Sequence, residues 1–535
     1  MKLKWGLVAP LVPITLCAAA LVATPAYAAS GVTVAGSILQ INAQAGKANK
    51  ISVQLSGTVY TVTDNGDMVT PGTGCVAVTV RQVRCNAPNV STVTANLGDG
   101  NDVLDVRTVK RATVNAGAGV DQVLGSPGAD IVDGGADGDT LVGYAGQDRL
   151  TGGTGNDTLE GGTGNDTFDG GLGADKFVGG TGTDLVTYGA RTARVVASLD
   201  GVANDGQSGE KDLIGTDVER LIGGSASDQL TGSALANQLD GGTGDDDLYG
   251  LGGVDVLNGG QGSDILSGGS DNDRLDGGPG ADKLGGGLGR DQARYNTANA
   301  AVRVDFDNLA DDGVANEGDN VFNDVEDILG SLYGDHVIGS AVNNTLDGYG
   351  GNDVLSGGDG ADTIWGGPGR DNLRGGSGND FIDGEADNDK IFGDYGADSI
   401  YGGSGDDTLR GGQDCNVCGD DGLSDSISGG VGIDVVEYYD HTVGVKVSLD
   451  SVANDGAAGE KDNARADLEH IAGTLGAADI LVGNDQANIL LGFAGNDTLI
   501  GLGGDDILDC GEGLLDQAGG GDGFDTFKAC ETAQQ

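Results

Sequence analysis

The chain has 535 residues, with 83 Asp and Glu against 28 Lys and Arg for a formal charge of −55, and it carries 104 Gly but only 8 Pro. Ordinary globular proteins hold roughly 7% Gly, and the shortage of Pro with no strict Gly-X-Y triplet excludes collagen. The sign of the charge excludes a protein built to neutralise nucleic-acid phosphates, and so acidic a chain with 4% aromatics stays unfolded unless something cationic stabilises it.

In chain order, Lys2 and Lys4 precede an apolar run from Trp5 to about Ala23, and Ala26-Tyr27-Ala28 has the small residues of a cleavage site. Residues 1–28 therefore read as a secretory signal peptide cleaved after Ala28, which predicts a secreted, extracellular protein. No later stretch is long and apolar enough to span a bilayer as a helix, so no membrane span is expected in the mature chain.

Residues 29–96 alternate β-branched and polar positions over 37–40, 50–55, 58–62 and 75–83, with turn dipeptides between them. They read as a small β cap covering the N-terminal end of the remaining chain; a carbohydrate-binding module is the alternative. Six cysteines remain after cleavage, clustered as Cys75 and Cys85, Cys415 and Cys418, and Cys510 and Cys530. An even number in an exported chain reads as disulfides, with the pairing left open. Cys415-Asn416-Val417-Cys418 is a C-x-x-C that reads as a staple; a redox or zinc role lacks the second ligand pair it needs.

From residue 97 onward a nine-residue unit dominates: Gly-Gly-x-Gly-x-Asp-x-apolar-x. Its clearest copies are Gly152–Glu160 and the one starting at Gly161. The glycines suit tight turns and close backbone approach. The eighth position (Leu150, Leu159, Phe168, Phe177) is one inward apolar residue between two outward ones, a very short strand. Turn and strand in alternation wind into a solenoid whose coils stack at ~4.8 Å. The sixth-position carboxylates then fall into columns, where neighbours ~5 Å apart repel by roughly 0.9 kcal/mol even at the dielectric of water. A column of such pairs needs a cation, and an all-oxygen donor set on flexible loops selects Ca²⁺ over Mg²⁺ and softer ions. Asn237, Asn344, Asn416 and Asn488 stand where the carboxylate is expected, and Asp137, Asp271 and Asp387 replace the fourth-position Gly, as added ligands or as residues tolerant of the turn.

The nonapeptide resembles the RTX (hemolysin-type) calcium-binding repeat. The resemblance implies an all-β parallel β-roll with multiple Ca²⁺ between successive turns, held by the sixth-position carboxylate and glycine carbonyls. It carries a metal-ligand role to Asp121, Asp130, Asp139, Asp148, Asp157, Asp166, Asp175 and Asp184 in the first roll (97–187). In the second (223–291) the equivalents are Asp228, Asp246, Asp255, Asp264, Asp273, Asp282 and Asp291. In the third (330–434) they are Asp353, Asp362, Asp371, Asp380, Asp389, Asp398 and Asp407, and in the last (474–535) Asp497 and Asp506.

The intervening segments 188–222, 292–329 and 435–473 are copies of one another. Tyr188, Asp205-Gly206, Glu210, Asp212 and Glu219 recur as Tyr295, Asp312-Gly313, Glu317, Asp319 and Glu326, and as Tyr438, Asp455-Gly456, Glu460, Asp462 and Glu469. Each reads as a strand followed by an acidic loop, either an extra calcium site or a solvated connection. No H-E-x-x-H or G-x-S-x-G occurs, and the carboxylates coincide with the repeat's cation positions, so no catalytic residue is assigned. The expected function is that of a secreted, non-enzymatic protein that folds on binding calcium ions outside the cell. A calcium-rigidified adhesin or surface-layer component with a cell-surface or glycan partner is the alternative, and a secreted hydrolase the less favoured one.

Overall fold

The computed structural model describes residues 30–412, 424–458 and 460–535; the leader read in residues 1–28 and the Cys415/Asn416/Cys418 cluster lie outside the described residues. The described residues form 55 strands and no helix, and none of them provides a helix able to cross a membrane. The architecture is a parallel β-roll. Strands two nonapeptides apart pair in parallel, Thr140–Ala145 on Thr158–Thr163 on Lys176–Thr181, and separately Arg149–Thr154 on Thr167–Leu172. Odd and even repeats thus build two sheets, and one turn of the solenoid consumes 18 residues.

Between the sheets the eighth-position side chains meet. Leu141, Leu150, Leu159, Phe168 and Phe177 are fully buried, and the Phe168 and Phe177 rings lie 6.1 Å apart. The core is only one side chain deep from each face, so each turn has little apolar area of its own and depends on its neighbours.

At the N-terminus the cap is continuous with the roll. Ile38–Asn42 pairs in parallel with Thr92–Asp99, and Lys50–Ser56 with Val103–Asp105. Residues 75–83, read as one strand, are the start of a hairpin: Cys75–Thr79 runs antiparallel to Gln82–Asn86 and places Cys75 opposite Cys85, which are joined by a disulfide. Cys510 and Cys530 form another at the far end.

The three acidic segments are woven into the roll. At the first, the strand Arg220–Ile222 pairs with Leu185–Thr187 behind it and Gln238–Thr243 ahead, so one sheet runs straight through. The other sheet stops at Leu213–Ile214 and a new one starts at Val195–Ser198, paired with Gln229–Thr231. The second and third segments repeat this arrangement, with one sheet passing through at Asp327–Leu329 and at His470–Ala472.

Candidate metal sites

The sixth-position aspartates follow the tight turn and precede the strand, and the 18-residue turn stacks each one on the equivalent residue of the next coil. The Asp139 N–H donates to Asp157 Oδ1 at 2.7 Å and the Asp157 N–H to Asp175 Oδ1 at 2.9 Å. On the opposite edge Asp130, Asp148, Asp166 and Asp184 form a second ladder. All 24 aspartates assigned from the sequence lie in such ladders. Each is at most 2% exposed, and each accepts a backbone N–H at Oδ1 from the coil before it.

The second oxygen distinguishes them. In 21 of the assigned aspartates, Asp157 among them, the Oδ2 atom is buried without a hydrogen-bond partner, whereas in Asp130 and Asp228 it accepts a backbone N–H. An orphaned buried acceptor costs about 1–3 kcal/mol, more when charged, and here the orphans stand in rows. Burial, reinforced by neighbouring carboxylates, pushes Asp139, Asp148 and Asp175 up to about 7 and Asp282 and Asp389 to about 8.

The first-position glycine shows what the rows are shaped for. A Cβ on Gly152 would lie 2.4 Å from Asp157 Oδ2 and 2.5 Å from the Gly170 carbonyl oxygen of the next coil. Carboxylate and carbonyl oxygen therefore converge on one small space that a methyl group would fill. The same pair of oxygens frames Gly241, Gly250, Gly259, Gly357 and Gly375. The first glycine is thus required for close approach, whereas the left-handed backbone belongs to the second and fourth positions: Gly153 has φ 111° and Gly155 φ 135°. Asp137, Asp271 and Asp387 adopt φ of 71°, 76° and 74° at the fourth position, which accounts for them as turn residues. An orphaned carboxylate oxygen facing a backbone carbonyl, with no thiolate or imidazole, is a donor set for a hard cation of the calcium type.

A family model described as the RTX calcium-binding nonapeptide repeat (four copies) matches residues 115–150, 151–186, 222–257, 231–266, 258–293, 329–364, 365–394, 386–414 and 474–508. The chain belongs to the RTX calcium-binding repeat family. No curated protein sequence matches it. Ca²⁺ is accordingly the ion its repeats bind, and the donors that fit it in this RTX chain are the ladder Oδ2 atoms with the facing glycine carbonyls.

Four further aspartates, Asp102, Asp434, Asp516 and Asp525, have the same orphaned Oδ2. The first, second and fourth sit at the sixth place of in-register repeats at the ends of rolls, so the repeat itself was signal enough to include them. Asp516 is displaced by one residue and only stacking on Asp497 reveals it. The acidic segments also supply ladder rungs that spacing does not disclose. The Asp175 N–H donates to Asp212 and the Asp184 N–H to Glu219, and Asp282 and Asp291 donate likewise to Asp319 and Glu326. Buried Tyr188 and Tyr295 donate their hydroxyls to Asp212 and Asp319.

Proposed function

We propose that this RTX protein is exported through its N-terminal leader and folds outside the cell on binding many calcium ions, acting as a calcium-stabilised structural rod with no catalytic centre. The rows of buried Oδ2 atoms without a protein donor carry this reading, because they make the ion-free fold costly and the ion-bound fold favourable. Calcium and folding are then one equilibrium. Where calcium is scarce the carboxylates repel and the chain stays extended, and at the millimolar levels suited to sites with dissociation constants of ~10⁻⁴–10⁻³ M it closes. The leader, with its charged start and Ala-Tyr-Ala site, supports export.

Far-UV circular dichroism of the chain from residue 29 during a calcium titration, with magnesium as control, tests the reading. A cooperative gain of β signal with calcium and none with magnesium is expected. A chain already folded in chelator and indifferent to calcium overturns it.

A further inference from the structure

Seven ladder positions are built differently from the rest. In them the backbone N–H at or next to the second place of the turn points inward and donates to the sixth-position side chain. Ser126 N–H donates to Asp130 Oδ2 at 2.5 Å, Ser233 to Asn237 Oδ1 at 2.6 Å, Ser331 to Asp335 Oδ2 at 2.6 Å and Ser340 to Asn344 Oδ1 at 2.7 Å. Thr474 donates to Asp479 Oδ2 and Asn484 to Asn488 Oδ1, both at 2.8 Å, and Gly224 to Asp228 Oδ2. In five of them the Ser or Thr hydroxyl adds a second hydrogen bond to the same side chain.

The backbone explains the difference. Where Oδ2 is orphaned, the second-place residue has positive φ even without glycine, as at Tyr144, Leu251, Tyr349, Phe493 and Leu502 (φ 65–78°). None of the seven inward donors is among the residues with positive φ, so their peptide faces the other way.

The asparagines complete the replacement. Nδ2 of Asn344 donates to the Glu326 carbonyl at 2.7 Å and that of Asn488 to the Glu469 carbonyl at 2.8 Å, with Asn237 reaching the Glu219 carbonyl at 3.4 Å. The amide N–H of each asparagine is thus spent on a carbonyl of the coil before it, where the aspartate rungs carry an Oδ2 with no protein donor.

We infer that these seven positions take no calcium, and that after each acidic segment a pair of them (228 with 237, 335 with 344, 479 with 488) forms one complete ion-free turn that seals the segment against the roll. This rests on the calcium reading above and adds which coils stand outside it. Two of the assigned ligands, Asp130 and Asp228, lose that role. The rolls then load calcium as separate stretches, each bounded by a turn whose closure does not depend on the ion.

Native mass spectrometry of the calcium-saturated protein tests this. Asp130→Asn and Asp228→Asn are expected to leave the number of bound calcium ions unchanged, whereas Asp157→Asn should lower it by at least one. Loss of an ion in the first two variants as well overturns the inference and leaves calcium-coupled folding intact, whereas no bound calcium even in the wild-type protein overturns the calcium reading and this inference together. As a second measurement, Ser340→Gly combined with Asn344→Asp recreates the orphaned carboxylate, and native mass spectrometry should count one more bound calcium per chain. An unchanged count in a folded variant contradicts the assignment.

Discussion

At the scale of the residue, the ladder chemistry depends on what is missing as much as on what is present. Gly152 has no Cβ in a space bounded by Asp157 Oδ2 and the Gly170 carbonyl oxygen. Gly152→Ala should therefore lose one calcium per chain by native mass spectrometry and shift the calcium midpoint of folding upward. Gly519, whose Cβ would meet nothing within 4 Å, is the matched control, and Gly519→Ala should leave both quantities unchanged. The motif shows Gly at the first, second and fourth places alike. The structure separates their reasons, because a Cβ at the first place collides with the donor oxygens while the second and fourth need a left-handed backbone.

At the scale of the element, the three acidic segments share one design, and the residue three places after the tyrosine differs in each. In the first, Arg191 lies 3.5 Å from Glu210 with both side chains nearly buried. In the third, His441 stands at the same place, 3.1 Å from Glu460 and 3.0 Å from Asp440, and those carboxylates push it up to about 10 against the opposing pull of burial. In the second segment the residue is Ala298, and beside it lies a cavity of about 40 Å³ lined by Asp276, Tyr295 and Glu317. Glu317 there accepts backbone N–H groups from Val314 and Gly280 but has no cationic side chain at position 298. Ala298→Arg fills the space and restores the charge. It should raise the midpoint of thermal unfolding, by on the order of 1 kcal/mol in stability from a hydrogen bond to a charged partner, and the same change with Glu317→Gln should lose most of the gain. The triplication was legible from the tyrosines and acids alone. That Asp212 and Glu219 continue the ladders was not, because they stack on Asp175 and Asp184 at separations of 37 and 35 residues, outside the 18-residue step.

At the scale of the whole molecule, the buried carboxylates tie stability to pH. Their folded values lie above the ordinary carboxylate range, at about 6 for Asp246 and Asp362, about 7 for Asp139 and Asp255 and about 8 for Asp282. The ion-free fold therefore holds protons that the unfolded chain releases. Its stability is fully present below the unfolded value near 4 and is lost as pH rises through about 6 to 8. Circular dichroism in chelator should show β structure gained on acidification from pH 8 towards pH 5. The calcium concentration needed for folding should fall over the same range, since protons and calcium relieve the same repulsion. A calcium-free chain equally unfolded at pH 5 and pH 8 would show that these carboxylates do not govern the fold.

The order of residues alone discloses the nine-residue period, the inward eighth side chain, the acid at the sixth place and the family those features belong to, because each is a local demand repeated often enough to stand out. It also placed all 24 assigned aspartates in the ladders. Which coil stacks on which, which sheet passes through each acidic segment, and whether a given carboxylate meets an N–H or is left orphaned were decided only in the tertiary structure. The physical reason is distance along the chain. A ladder rung is completed by a backbone group 18 or more residues away, and reversing one peptide at the second place of a turn changes a carboxylate facing an ion space into one already satisfied by the protein, as Asp157 and Asp130 show within two coils of each other.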